Sequence, residues 1–227
     1  MQPLKKPAAG EPHDAQYQIA GTLLELLQEF GQRASNPVLE LLRDSGEFRA
    51  LRKYPATAFD FGGTGVRAYY HRHADHTASH REHGHFHLFL RVPGSAPEDW
   101  SHLAGLAMDQ EGQPLRWFTV NRWVSGGAWS GAPELCGSLG GLGPVQHLSL
   151  VERWLLTMLR LYDAELRRLL SERDRRLTQL KADAATDSIL EDRQIHELSE
   201  QPIDLLHKLQ GLLVGGQQIV NPPYQEV

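Results

Sequence analysis

The sequence predicts an α+β protein, in which an antiparallel four-stranded meander sheet is flanked by N-terminal helices and a C-terminal helical segment with one long helix. Three observations support this prediction. Apolar residues recur every three or four positions near both ends of the chain. In the middle they alternate with polar ones. Short polar turns with Asp and Gly separate the alternating runs, and such segregation of helices from strands is typical of the α+β class.

The composition is that of an ordinary globular protein. The 227 residues are enough for a substantial core, and the net charge of −5 predicts no nucleic-acid partner. Cys136 is the single cysteine, so no internal disulfide is possible. No apolar run approaches the roughly 20 residues that span a bilayer. We therefore expect a cytoplasmic protein without a membrane partner.

The pattern also predicts where the ordered part begins and ends. Residues 1–14 are rich in Pro, Ala, Gly and Lys and are expected to form a disordered tail. Residues 15–214 are expected to form a single α+β domain. Residues 215–227 begin with Gly-Gly and contain Pro-Pro, which predicts a C-terminal tail.

Two helices are predicted before the sheet. Residues 15–33 carry an apolar stripe at helical spacing. Asn36 and Pro37 then match an N-cap and a first helical position, and they open a helix over 38–42, with Leu51 as its furthest expected end.

Four strands are predicted next, followed by helices. The strands cover 66–73, 83–92, 102–108 and 115–124, and a glycine-rich long loop is expected over 126–143.

Ser149 and Glu152 form a capping-box pattern at the start of the long helix. Its apolar stripe could pack against a second copy of the chain, which would give a homo-oligomer. Shorter helices are expected over 188–198 and 203–213.

Seven of the twelve histidines lie between His71 and His87. Because side chains alternate across a strand, parity predicts that five of them share one face of a β-hairpin, opposite the core face. His76 and His80 fall in the expected turn around 77–79. The five are His71, His73, His83, His85 and His87.

A short turn would set the register of this hairpin. It would place His73 opposite His83, His71 opposite His85, and Tyr69 opposite His87. Opposed Cβ atoms lie about 4.5–5.5 Å apart, so two imidazoles can reach one metal ion. Glu82 or Asp75 in the turn could add an oxygen ligand.

A transition-metal site is the leading functional hypothesis. Imidazole ligands fit Zn, Fe, Cu or Ni and do not choose among them. Three protein ligands leave a position for water or a small-molecule substrate, which suggests a metal-dependent hydrolase or oxidase. Tyr69, Asn121 and Arg122 are candidate substrate-binding residues, since arginine offers a bidentate fork to carboxylate or phosphate.

The run His83-Gly84-His85-Phe86-His87-Leu-Phe resembles the histidine-triad nucleotide-binding proteins. That resemblance implies a nucleotide phosphotransferase or hydrolase with His85 as the nucleophile. It covers about seven residues, Gly84 departs from the family's larger apolar residue, and His71 and His73 have no role in it. A third hypothesis is a non-enzymatic interaction or scaffold protein in which the histidines are incidental.

Overall fold

The computed structural model describes residues 12–73, 81–142, 147–181 and 189–220. Helices and an antiparallel sheet are both present, so the predicted α+β class is confirmed. The expected hairpin turn, with Asp75, His76 and His80, lies outside the described residues, as do the greater part of the predicted N-terminal tail and the last residues of the C-terminal one.

The sheet is a meander of six strands, not four. Each strand pairs antiparallel with its neighbours in chain order, although a helical segment separates the last two. The strands are β1 Tyr54–Asp60, β2 Val66–His71, β3 Glu82–Leu90, β4 Ser101–Asp109, β5 Pro114–Val120 and β6 Glu197–Pro202.

Both additional strands lie at the edges of the sheet, where sequence signals are weak. β1 contains Pro55, and proline is tolerated in a strand at an edge, where its missing N–H is not needed by a neighbour. β6 falls partly within the predicted helix 188–198. Its pairing with β5 outweighs local propensity. The helix prediction is wrong for 191–198: of its described residues only 189–190 are helical, 191–196 form turns and irregular structure, and 197–198 belong to β6.

Within the described ranges, seven helices of four residues or more accompany the sheet. Those predicted over 15–33 and from Pro37 to Leu42 are confirmed, with Asn36 as the N-cap of the second. The first begins within the predicted tail and the last runs beyond Gly216. The helices are α1 Pro12–Gln32, α2 Pro37–Leu42, α3 Arg122–Ser125, α4 Ala132–Gly140, α5 Leu150–Leu161, α6 Asp163–Leu180 and α7 Leu205–Val220.

Two helical predictions need correction. The loop predicted over 126–143 contains α4, whose Leu135 and Leu139 are buried one turn apart; its glycines had hidden this period. The long helix starts with the predicted capping box at Ser149 but is interrupted at Tyr162, where φ is −104° and ψ is 19°. The structure thus has two consecutive helices here.

One face of the sheet packs against helices to form the main core. Phe86, Leu88 and Leu90 of β3 lie in the same buried cluster as residues of α1 and α5. The apolar stripe of α5 and α6, including Leu155 and Leu166, is part of this cluster. An oligomer through these helices would therefore have to use another of their faces.

Two bulges in the β3–β4 pair shift its side-chain alternation. Glu82 pairs with Asp109 and Gly84 with Met108, so His83 is an extra residue in β3. Leu88 pairs with Ala104 and Phe89 with His102, so Leu103 is an extra residue in β4. A bulge moves the residues beyond it to the opposite face.

In the part of the chain that the structure describes, no helix is both long and apolar enough to cross a bilayer.

Asn121 allows a test of how the β5 end is held. Its buried side chain caps α3 and donates to the carbonyl of Ile189, 2.8 Å away. Asn121→Ala should lower the free energy of unfolding by about 2–3 kcal/mol, because it leaves buried partners unsatisfied. The matched Asn36→Ala removes a cap near the surface and should cost about 1 kcal/mol. Urea denaturation measures both, and equal losses would contradict the structural role of Asn121.

Candidate metal centre

Three histidines of β2 and β3 converge on one point. Nε2 of His71 lies 2.8 Å from Nε2 of His85 and 3.1 Å from Nε2 of His87. One nitrogen from each ring lies within 4.8 Å of the others, so the group could hold a metal ion. The β2–β3 register that produces this has His71 opposite His85 and Tyr69 opposite His87, as predicted.

Glu82 holds the ring of His85 from outside the cluster. Its Oε1 lies 2.7 Å from Nδ1 of His85, while Arg116 lies 3.6 Å from its other oxygen. Burial by itself would raise the pKa of Glu82, but the bond to His85 and the charge of Arg116 outweigh it and lower that pKa. The carboxylate therefore accepts the Nδ1 proton of His85.

His102 of β4 plays the corresponding part for His87. Its Nε2 lies 2.9 Å from Nδ1 of His87, and both rings are buried. Two of the three converging rings thus use their Nδ1 atoms on partners outside the cluster. This leaves their Nε2 atoms for the centre, as is usual for metal-ligating histidines.

The three Nε2 atoms cannot all be satisfied by one another. Nε2 of a neutral His71 carries either one proton or one lone pair, so it can form one well-aligned hydrogen bond, for example by donating to Nε2 of His85. The single proton on His71 Nε2 cannot also be shared in a well-aligned bond with His87. A cation bound by three lone pairs would remove this conflict.

The separations from His71 fit such a cation. Two nitrogens about 2.0–2.1 Å from one ion are about 2.9 Å apart at a right angle and about 3.3 Å apart at the tetrahedral angle. The distances from His71, 2.8 and 3.1 Å, are close to this range. The nitrogens of the third pair, His85 and His87, lie within 4.8 Å of each other, and they must come within about 4.2 Å to share one ion at these bond lengths.

Small residues on β4 make room for the rings. Gly105 pairs with His87 and Ala107 with His85. Phe118 lies across Gly105, where an added Cβ would come within 2.2 Å of its ring. The same ring meets His85 edge-on at 5.2 Å between centroids. The aromatic wall on this side therefore depends on glycine at 105.

Three of these histidines, His71, His87 and His102, have lowered pKa values that favour the neutral form, which is the form that binds metals. Burial, reinforced by the neighbouring His85, lowers the pKa of His71 to about 3. Burial also lowers the pKa of His87 well below its usual range. For His102, burial and then the charge of Arg173 lower the pKa to about 3.

Two further predicted residues lie beside the three rings. The exposed His73 has its ring 5.0 Å from that of His71 and 5.3 Å from that of His85. The buried Tyr69 has its ring 5.2 Å from that of His87. Burial raises the pKa of Tyr69 to about 12, so its hydroxyl keeps its proton at neutral pH.

The prediction that all five histidines share one face is wrong for His83. As the bulged residue, it stacks on Phe48 with ring centroids 5.1 Å apart, and its Nδ1 lies 2.8 Å from the hydroxyl of Tyr70, a core residue. Gly84 permits this, because a Cβ there would lie 2.7 Å from that hydroxyl. The same bulge places Glu82, a suggested additional ligand, against His85.

Asn121 and Arg122 make their described contacts elsewhere. Asn121 binds the carbonyl of Ile189, and the guanidinium of Arg122 forms an ion pair with Glu191 at 2.8 Å. Their position at the end of β5 is explained by these bonds to the segment after α6. A role in substrate binding stays a prediction without a contact to support it.

Sequence reasoning missed His102 and Arg116. Without the bulge, His102 would pair with Leu90, whose side chain lies on the core face. Strict alternation would therefore have placed His102 on the core face as well. Arg116 alternates correctly with Phe118, but nothing in the sequence connects it to Glu82, which lies more than thirty residues earlier. A bulge leaves little local signal in a single sequence, so only the pairing itself shows these two neighbours.

Comparison with known proteins gives a family. One family, described as "Domain of unknown function (DUF6969)", matches residues 17–203. The chain belongs to this family. The DUF6969 match covers all six strands and the three converging histidines, and the family description states no activity. No curated protein and no solved structure matches the chain.

The buried histidines predict loss of stability in acid. An unfolded histidine takes up a proton near pH 6.5, whereas His71 and His102 do so near pH 3. Between these values the unfolded state binds more protons, so stability falls as the pH falls, by about 1.4 kcal/mol per pH unit for each such histidine. Urea denaturation of chelator-treated protein at pH 7, 6 and 5 measures this slope. His102→Asn should reduce this slope by the contribution of one histidine, about 1.4 kcal/mol per pH unit. An unchanged slope would refute the lowered pKa of His102.

Gly105 can be tested by a change of size. Gly105→Val should destabilise the protein by about 1–3 kcal/mol, because the side chain meets the ring of Phe118. Gly137→Ala is a matched control: it lies in α4 with nothing within 4 Å of its added Cβ, and it should stabilise by up to about 1 kcal/mol. Thermal unfolding compares the two variants. An unfolding temperature of Gly105→Val equal to that of the unaltered protein would contradict the described packing.

Proposed function

We propose that the protein binds one transition-metal ion through Nε2 of His71, His85 and His87, and that it uses the ion as a metal-dependent hydrolase or oxidase. The observation that carries this proposal is the convergence of three Nε2 atoms while Glu82 and His102 engage the Nδ1 atoms of two rings. Zn, Fe, Cu and Ni all accept an all-imidazole set.

An open coordination position supports an enzymatic role. A metal held by three protein ligands can bind water or substrate in the remaining position, where it lowers the pKa of water or polarises a bound oxygen. His73 lies beside the triad on the exposed side, so it is placed to exchange protons with solvent or to act as a fourth ligand. Tyr69 lies on the opposite side of His71 and can donate a hydrogen bond.

The carboxylate of Glu82 is the charge beside the rings that favours a cation. Arg116 is already paired with Glu197 at 2.7 Å and so does not place an uncompensated charge beside the site. The carboxylate of Glu82 faces His85 and raises the basicity of its ring, which strengthens a metal–nitrogen bond.

The histidine-triad hypothesis receives less support from the fold. It depends on three histidines that alternate along one strand, but His83 stacks on Phe48 away from His85 and His87. It also gives no role to His71, which contacts both other rings of the cluster. A metal centre accounts for all these contacts together.

Metal titration tests the ligand set. Untagged protein should bind close to one equivalent of Zn²⁺ or Co²⁺ at pH 7. His71→Ala, His85→Ala and His87→Ala should each weaken binding by at least about a hundredfold, and Glu82→Gln by about 10–100-fold. The absorption bands of bound Co²⁺ give the coordination number, and elemental analysis gives the stoichiometry.

His83→Ala is the matched control, because it removes an imidazole of the same strand whose ring lies on the core side. It should leave the affinity within a few-fold of the original. Binding below about a tenth of an equivalent in the unaltered protein, or equal losses in His83→Ala and His71→Ala, would refute the proposed centre.

A further inference from the structure

A group of cations lies on the histidine face, beyond Tyr69. Strand β2 presents Arg67, Tyr69 and His71 in alternation on this face, and Arg91 follows Phe89 just after β3. Lys53 precedes β1, and its Nζ lies 4.4 Å from the centre of the Tyr69 ring. The cations therefore continue the row that begins at the metal centre.

Aromatic rings hold these cations in place. The guanidinium of Arg67 lies 4.7 Å from the ring of Trp100 and 5.2 Å from that of Phe89, and the guanidinium of Arg91 lies 4.5 Å from the ring of Trp100. Phe89 and Trp100 form a small buried cluster with Tyr69. The cations are thus fixed by stacking, which leaves their N–H groups for a ligand.

Their charges are only partly compensated. Asp60 faces Arg67 across β1 and β2, but no ion pair joins a carboxylate to Lys53, Arg67 or Arg91 in the described ranges. The buried Nε of Arg67 has no hydrogen-bond partner. Lys53 and Arg91 are exposed and Arg67 is half-buried, so an anion in solution can reach the group.

We infer that Lys53, Arg67 and Arg91 bind the anionic end, a carboxylate or phosphate, of an elongated small molecule whose other end reaches the histidine cluster. This inference rests on the proposed metal function, because it assigns the substrate class of that centre. Along β2, Tyr69, whose ring Lys53 contacts, is two residues from His71, and Arg67 is four residues away, about 7 and 13 Å at the usual rise. Arg91 lies opposite Gly65, about 20 Å along the strand, and its guanidinium reaches back to Trp100 beside that of Arg67. The molecule must therefore be longer than a simple acid such as acetate.

Adjacent aromatic rings connect the cations with the histidine cluster. Tyr69 lies between the two ends, with its ring 5.7 Å from those of both Phe89 and His71. Its protonated hydroxyl can bind a polar group in the middle of the ligand. The sequence predicted that Arg122 would bind a carboxylate or phosphate, but Arg122 is paired with Glu191. Arg67 is the arginine on the histidine face that can do so.

Inorganic phosphate tests the anionic end without a metal. Chelator-treated protein should bind phosphate saturably in an NMR titration at constant ionic strength, and succinate in a parallel titration tests a carboxylate. The double variant Arg67→Gln/Arg91→Gln should weaken phosphate binding at least tenfold. Lys53→Gln should weaken it by a smaller factor. The exposed Arg91→Gln alone keeps the test valid if the double variant is unstable. Arg175→Gln, which removes an exposed arginine paired with Glu172, is the matched control.

His71→Ala separates the two proposals. Phosphate binding that survives His71→Ala and is lost in the arginine variants supports the anion site, even if the metal centre fails. The anion site is overturned if phosphate binding is lost in His71→Ala but unchanged in the arginine variants. It is also overturned if all variants bind phosphate equally.

A two-ended probe tests the reach between the sites. Acetohydroxamate offers a metal-chelating end alone, and a hydroxamate with a terminal phosphonate on a short alkyl chain offers both ends. Zinc-loaded protein should bind the second at least tenfold more tightly, and this advantage should disappear in Arg67→Gln/Arg91→Gln. Equal affinity for the two hydroxamates would show that the cations do not serve the metal centre.

Discussion

The pairing of β2 with β3 determines whether a centre exists at all. His71 and His85 meet because they are direct partners in this ladder, and His87 joins them from the next position on the same face. A slip of one residue would turn either strand's side chains to the core side, where Tyr70 and Phe86 now pack. The burial of those apolar residues therefore fixes the register, and the convergence of the imidazoles follows from it.

Burying this cluster carries a cost that the rest of the fold must offset. His85, His87 and His102 are each at most 5% exposed, and buried polar groups stabilise a protein only when their hydrogen bonds are complete. Glu82, from β3 itself, and Arg116, from β5, supply part of the network. Among the described contacts of the cluster, His71 Nε2 faces two nitrogens and can form a well-aligned bond with only one of them. Incomplete hydrogen bonding in a buried cluster lowers stability, and functional sites often have this feature.

Alternation in the sequence was sufficient for the hairpin but not for its surroundings. The apolar positions of β2 and β3 are the strongest period-two signal in the chain, so their core face, their register and the meeting of His71 with His85 could all be predicted. The roles of Glu82, His83 and His102 could not, because two extra residues in the strands reverse parity at those points. The edge strands were missed for a related reason: their pairing partners, not their own residues, make them strands.

The distribution of the ligands along the chain has a consequence for folding. His71 and His87 are sixteen positions apart and belong to adjacent strands, whereas the helices of the main core come from both ends of the sequence. Contacts between residues close in sequence close small loops and form early, while those that join the two ends form late. The three imidazoles can therefore come together before the helical layer is complete, and an ion captured at that stage would select the correct strand pairing for the growing sheet.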